Sequence, residues 1–523
     1  MKSLFNLPPG SRPLLLATAL AFPLVAAASP YQFRATMQEL RVSAPATTPD
    51  VTQPVPVEAQ PALAVEDASG KAVSLLSFPA TPVGTNSEPL IVTLKSTGTA
   101  DVVFGTTPFN TPAPFSVNST TCTQKLTPTQ TCKVSINFSP SEVKTYSGES
   151  YALRISANVV VEPILLTGMG TRAGVLQVVV GPSGDTTFVQ KSDGTWVGTG
   201  INVYGQMGVA GTENRTAFTA IPALAGATQV VVGNRHTFAK LANGSWAAAG
   251  RNDLGQLGLG HTNHQYSFVT VPALAGASRV VVGAAHTYAQ LSNGSWAATG
   301  YNLYGQLGLG NNTDRATFAT VSALNGATQL VSGTHYVFAK LANGSWVATG
   351  DNSFGQLGLG NTTHRSTFVS IPAVAGAVQI SPGREHVFAQ LANGQWAASG
   401  RNHQGQLGRG NTTDTLSFVV VPALDGASQV VSGFYHTHAR LANGAWAAAG
   451  QNSVGQLGLG DTTSRSAFVT VPALAGASQV RAGTNYTVAK MANGTWAGTG
   501  NNSSGQLGLG HTIDQSSFTP IAP

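Results

Sequence analysis

Charged residues are scarce in this sequence. Asp, Glu, Lys and Arg make up 9% of its 523 residues, where about a quarter is usual. The 27 basic and 21 acidic residues leave a net charge of +6, which reflects few acids rather than a basic stripe. A nucleic-acid footprint needs Lys and Arg gathered on one face, so that class of partner is excluded. The surface must instead be built from Ser, Thr, Asn, Gln and Gly. Cysteine is nearly absent, with two residues. Past residue 28 no apolar run is long enough to cross a membrane, and no stretch has helical periodicity. The acids are too few and scattered to nominate a catalytic carboxylate pair, and no Gly-x-Ser-x-Gly nucleophile elbow occurs. These absences point away from an enzyme and imply no cofactor.

What the chain has instead is a repeat. Trp196, Trp246, Trp296, Trp346, Trp396, Trp446 and Trp496 are spaced by fifty residues, and each is followed by Gly-x-Asn-x-x-Gly-Gln-(Leu/Met)-Gly. A fixed period of this length marks units that cannot bury an apolar face alone and stack on copies of themselves. One unit contains four candidate strands: Gln229–Val232, His236–Leu241, Ser245–Ala249 and Phe268–Val271. Asn243-Gly244 between the second and third predicts a type I′ hairpin turn, with positive φ at both central residues. The pair recurs at Asn293, Asn343, Asn393, Asn443 and Asn493, with Asp193-Gly194 in the first copy. Four short antiparallel strands per unit and seven units predict an all-β, seven-bladed β-propeller. A solenoid would need polar capping repeats. The last fourth strand runs to Pro523 with no cap after it, as expected of a closed ring.

At Gly250-Arg-Asn252-x-x-Gly255-Gln-Leu-Gly-Leu-Gly260, and its copies at Gly300–Gly310 and Gly350–Gly360, the sequence resembles the RCC1 repeat family over residues 173–523. The Trp-Asp blade ending of WD40 propellers and the Gly-Gly pair of kelch propellers are missing. The resemblance implies an RCC1-like propeller used as a docking surface. Its members include guanine-nucleotide exchange factors, ubiquitin-ligase modules, a plant UV photoreceptor and secreted bacterial enzyme inhibitors.

Residues 1–28 read as a secretory signal. Lys2 and Arg12 precede an apolar core from Pro13 to Val25 and the small residues Ala26-Ala27-Ala28. Their removal takes the net charge from +6 to +4. The expected location is extracellular or at the cell surface, with the periplasm as the alternative, and without membrane insertion. Residues 29–70 form an N-terminal segment and Pro-rich linker. Residues 71–172 carry short strands at Leu75–Phe78, Leu90–Leu94, Val134–Phe138, Tyr151–Ile155 and Ile164–Thr167, a pattern that reads as an Ig-like β-sandwich preceding the propeller. Cys122 and Cys132, an even pair at short spacing in an exported chain, read as a disulfide; a metal pair would lack further ligands. The run from Cys122 through Phe138 to Gly170 is similar to the choice-of-anchor D modules, which resemble the Ig-like domains of the ASPM/SPD-2/Hydin group. That similarity implies an adhesive or spacer domain.

The eleven histidines do not assemble a metal site. His236, His286, His386 and His436 share one repeat position, where other copies have Tyr336, Tyr486 and Thr186. Ligands would not be exchanged for Thr, so a hydrogen-bonded structural residue is expected. His261 with His264, and His436 with His438, lack a third partner. The Gly-rich stretches open no helix, so they cradle no phosphate. The repeated Asn and Gln, as in Asn302 and Gln306, should satisfy backbone groups of a loop that cannot form a ladder, and the Trp should fill the space between blades.

Comparison of the copies within the chain separates two faces. Strand direction alternates, so the first-to-second and third-to-fourth connections share one face, and the Asn-Gly hairpins and Pro-Ala-Leu-Ala-Gly connections share the other. The second is nearly identical in every blade. On the first, variation brings in Arg and aromatic residues, the composition of binding hot spots. The candidate site is Arg235, Tyr301, Tyr304, Phe354, Arg384, Phe434 and Tyr435, with a protein partner expected. A carbohydrate-binding lectin or adhesin is the alternative, with Tyr301, Tyr304 and Phe354 stacking sugars; several equivalent sites would then be expected, against the divergence between blades. Exchange-factor activity is more distant, because that function uses a wedge inserted in the propeller and the uniform spacing leaves no room for one. The photoreceptor's Trp in the first-to-second loop is replaced by Asn234, Ala284, Thr334, Arg384, Phe434 and Thr484.

Overall fold

Seven four-stranded antiparallel sheets follow one another along the chain, each built from one contiguous segment with its strands in sequence order. The first starts at Val175 and the last ends at Ile521. The computed structural model describes residues 58–523 except 84, 172–173 and 182–183, so the signal and most of the linker lie outside the described residues. In the second blade the strands are Gln229–Val232, His236–Lys240, Trp246–Gly250 and Gln265–Thr270. The fourth begins three residues before the apolar run at Phe268. It is the outer strand, half in solvent, so its opening Gln265-Tyr266-Ser267 needs no apolar character. A bulge between Ala248 and Gly250 brings Gly250 opposite Gln265.

The Asn-Gly hairpin forms, but not as a type I′ turn. Gly244 has φ +81°, whereas Asn243 is not among the positive-φ residues. The Gly244 N–H donates to Leu241 O at 2.9 Å, and Leu241 N–H donates to Ser245 O at 2.9 Å. This is a type I turn followed by a left-handed glycine, the three-residue hairpin. Asn243 earns its place differently: its Oδ1 accepts from the Ser245 N–H at 3.0 Å and the Ser245 hydroxyl at 2.7 Å. The connection from each fourth strand to the next first strand contains one turn of 3₁₀ helix, such as Pro272–Leu274.

The blades meet through the repeat's invariant residues. Trp246 is buried, and its Nε1–H donates to Ala277 O at 2.9 Å ahead of the next blade. Gly258 has φ +69°, and a Cβ there would sit 2.3 Å from the Phe318 ring of the following blade. Its neighbour Leu259 bridges to Thr317, and Gly260 N–H donates to Ala316 O at 2.8 Å. The seventh blade makes the same contacts to the first: Gly508 packs on Phe218, Leu509 bridges to Ala217, and Gly510 N–H donates to Thr216 O at 2.8 Å. Val178, Val189, Val197, Tyr486, Trp496, Leu507 and Ile521 form one apolar cluster across that seam. The ring is closed by side-to-side packing, without a strand lent from one end to the other.

Ahead of the propeller, two sheets pack on one core. Leu63–Glu66, Leu90–Ser96, Thr131–Phe138 and Phe115–Thr120 form the first. The second has the order Leu75–Ser77, Ile164–Thr171, Ala152–Ala157, Val102–Asn110 and Lys125–Leu126, with Thr81–Pro82 and Thr145–Tyr146 also on Ile164–Thr171. Val92, Leu94, Val134 and Ile136 of one meet Leu153, Ile164 and Leu166 of the other. Leu63–Glu66, within the segment read as linker, is a strand paired with Leu90–Ser96. Cys122 and Cys132 form a disulfide.

Candidate functional site

The third-to-fourth connection is a long loop with no ladder of its own, and the repeated amides hold it in shape. Asn252 Oδ1 accepts from the Leu257 N–H at 2.9 Å, while its Nδ2 donates to His261 O at 2.8 Å and Asn263 O at 3.1 Å. Gln256 Oε1 accepts from the Leu254 N–H at 3.0 Å. His264 Nδ1 accepts from the Asn252 N–H at 3.0 Å and His261 Nδ1 from the Asn263 N–H at 3.2 Å. These two histidines fasten the loop. Among the described residues no three His, Cys, Asp or Glu converge on a metal-sized site.

The histidines at the start of the second strand are sealed between blades. Nε2 meets a hydroxyl of the next blade: His236 to Thr287 at 3.3 Å, His286 to Ser332 at 2.9 Å, His386 to Thr437 at 3.2 Å and His436 to Thr487 at 3.0 Å. A glycine makes the room, since a Cβ at Gly283 would lie 2.1 Å from the His286 ring. Burial holds His236, His286 and His386 neutral, with pKa values pushed down to about 3, and His436 also well below its usual range. His438, behind His436, is pushed down to about 4 by burial. Tyr336 and Tyr486 reach across the same seam, Tyr336 OH donating to His386 O at 2.6 Å and Tyr486 OH lying 3.0 Å from Thr187 Oγ1.

With the frame fixed in this way, the variable positions project from the first face. The first strands of all seven blades line a central channel of about 540 Å³. Past their ends, loops of five consecutive blades enclose a second cavity of about 370 Å³, whose lining includes Arg251, Tyr301, His335, Arg384 and Phe434.

The seven candidate residues are all half-buried and fall into three groups. In the largest, the Arg384 guanidinium lies 4.2 Å over the Phe434 ring and 5.1 Å from that of Tyr435, while Phe354 carries Arg401 at 4.5 Å. Arg401 joins the two halves, donating to the Tyr435 hydroxyl at 3.1 Å and to Glu385, which also pairs with Arg384 Nε at 3.2 Å. In the second, the Tyr301 and Tyr304 rings are 6.1 Å apart and both contact His335, at 5.4 and 5.6 Å. Burial pushes His335 down to about 4 despite the opposing charge of Asp351. In the third, Arg235 stands apart from the other six, 5.5 Å over Tyr204, which Arg251 shares at 5.6 Å. Arg401, Glu385, His335, Arg251 and Tyr204 complete these groups and were not among the candidates. All of them occupy the same variable loop positions, and that is the signal that could have nominated them. Stacked guanidiniums and rings of this kind are held in place before any partner arrives, and this lowers the entropy lost on binding.

No protein-family model matches this chain, and no curated protein matches it. Solved structures do. Human WBSCR16 superposes with a TM-score of 0.55 at 19% identity, over 63% of this chain and 94% of that one. Yeast RCC1 (Prp20), in complex with Kap60, gives 0.56 at 18% identity, over 62% and 83%. Prp20p from Saccharomyces cerevisiae, described with its binding to Gsp1p and histones, gives 0.54 at 19% identity, over 62% and 85%. These neighbours are RCC1-like β-propellers, and the repeated four-stranded sheets share that fold.

Proposed function

We propose that this protein is a non-enzymatic binding module that docks a protein partner on the first face of its propeller. The observation that carries the reading is the clustering of arginines and aromatic rings at the channel mouth, on the one face where the copies diverge. Fold neighbours that bind Kap60, Gsp1p and histones support protein binding as a use of such a propeller. Seven matched sugar sites would need like residues in like positions, and the first-to-second loops differ in every blade, so a protein partner fits better than a carbohydrate. The apolar segment at residues 1–28 supports export, with the two-sheet region acting as an Ig-like stalk. Export is checked by the N-terminal mass of protein recovered outside the cytoplasm, which should begin after Ala28.

Truncation of a central aromatic tests the site. With a partner purified, Phe434→Ala and Tyr304→Ala should each weaken binding by about 1–4 kcal/mol, with the melting temperature shifted by no more than a few degrees. Ser245→Ala and Ala275→Ser, on the opposite face, should leave affinity intact. Equal losses from both faces would remove the basis for the assignment.

A further inference from the structure

The cavity at the channel mouth has a charge pattern of its own. Its lining includes two arginines and the neutral His335 beside Tyr301 and Phe434 and, among the described residues, contains no Asp or Glu. Of the carboxylates near the lining, Asp351 acts on His335, while Glu385 and Asp253 pair with the two guanidiniums. Glu385 forms an ion pair with the Nε of Arg384 at 3.2 Å, and the guanidinium lies over the Phe434 ring, 4.2 Å from its centroid. Among the described residues, the Nη groups of Arg384 have no acceptor. Asp253 holds Arg251 through Nε and Nη2, each at 2.7 Å, and among the described residues Nη1 has no acceptor. Arg384 is thus held at Nε and by the Phe434 ring, Arg251 along its Nε–Nη2 edge, and each keeps Nη donors without an acceptor among the described residues. A planar fork held in this way is matched to a carboxylate, and its charge-assisted hydrogen bonds are about twice as strong as neutral ones. A volume of about 370 Å³ is at the small end for a ligand site, suited to one or two side chains of an extended segment.

We propose that this pocket anchors an acidic side chain, Glu or Asp, from an extended segment of the protein partner. The inference rests on the protein-docking reading above. It adds the chemistry of the anchor: a carboxylate received between Arg384 and Arg251 against the apolar wall of Phe434 and Tyr301.

The test uses the full chain and a fluorescein-labelled Gly-Ser peptide carrying four consecutive glutamates, read by fluorescence anisotropy at low salt. Peptides with four lysines or four phosphoserines serve as comparisons. The glutamate peptide should bind and the lysine peptide should not. Arg384→Gln and Arg251→Gln should each weaken binding at least tenfold, while Arg365→Gln, at an outer strand where Nη1 is tied to Thr363 O, should change it less than twofold. Ala284→Glu, which puts a carboxylate on the lining without removing an arginine, should abolish binding and guards against a misfolded arginine variant. Failure of the parent chain to bind the glutamate peptide overturns the proposal, as does an equal loss in Arg365→Gln. Tighter binding of the phosphoserine peptide, lost in Arg384→Gln, would make this a phosphate site and also overturn it. So would a dimer in sedimentation that Arg384→Gln dissociates, since the occupant would then be a second copy. If the glutamate peptide fails while Phe434→Ala still weakens a protein partner, the anchor is wrong and the docking reading stands.

Discussion

At the start of the second strand a neutral imidazole is shut between blades, and this ties stability to pH. The folded-state pKa values of His236, His286 and His386 are pushed down to about 3 and those of His335 and His438 to about 4, against about 6.5 in an unfolded chain. As pH falls below about 6.5 the unfolded chain takes up protons that the folded chain refuses. The stability these residues contribute is therefore complete above that pH and drains away down to about pH 4 and below, at up to about 1.4 kcal/mol per pH unit for each histidine. Thermal unfolding should show a melting temperature that is flat above pH 7 and falls steeply between pH 6 and 4. Tyr336 and Tyr486 show that a phenol fits this position, so His386→Tyr should lower the proton uptake on unfolding by about one near pH 5. An unchanged slope would show that the imidazoles are solvated. A second residue-scale prediction concerns Gly308, at φ +66° with its Cβ position 2.4 Å from the Phe368 ring. Gly308→Ala combines left-handed backbone with overpacking and should destabilise by about 2–4 kcal/mol, read from denaturant unfolding.

Elements were legible in the sequence where one residue type carried the instruction. In the unit read strand by strand, a short apolar run, an alternating run and the Trp-Ala-Ala-Ala run located the first three strands to within a residue, because these inner strands are the buried ones. The fourth strand was legible only in its second half, since Gln265-Tyr266-Ser267 faces solvent and pairs through backbone alone. The hairpin was expected as type I′ because Asn-Gly suits that turn; the structure instead uses Gly244 as the left-handed residue and Asn243 as an acceptor, a choice set by loop length. In the candidate site, the face and the residue types could be read from divergence between copies, but not the partners. Arg384 meets Phe434 and Arg401 meets Tyr435 across roughly fifty and thirty-four positions of sequence, and such pairs follow from the ring, not from any local pattern. The disulfide was legible from an even pair of cysteines at short spacing in a chain read as exported. Joining residues ten apart, it should stabilise the two-sheet region by roughly 2–3 kcal/mol. Cys122→Ser with Cys132→Ser should lower the midpoint of that region's unfolding and leave the propeller's transition in place. Loss of both transitions together would show that the two unfold as one.

At the scale of the whole molecule, the ring has no blade that stands alone. Each apolar cluster spans neighbouring blades: Trp296 and Val321 at the end of the third blade pack with Leu330 and Val337 of the fourth, and the seam between the seventh and first is built from the same parts. Cooperativity should follow from closure, because opening any seam exposes two blade sides at once. Deleting residues 475–523 removes the seventh blade and leaves the sixth without the Val480 and Ala489 that pack on Trp446. It also uncovers Phe218 and the backbone of Thr216 and Ala217 that receive the seventh blade's loop. Unpaired strand groups and bare apolar sides of this kind invite association. The truncated protein should therefore sediment as oligomers, and what remains monomeric should unfold over a broader temperature range than the parent. A truncated protein that stays monomeric and melts as sharply as the full chain would mean that each blade is stable on one neighbour, and the closed ring would then contribute shape to the docking face without contributing cooperativity.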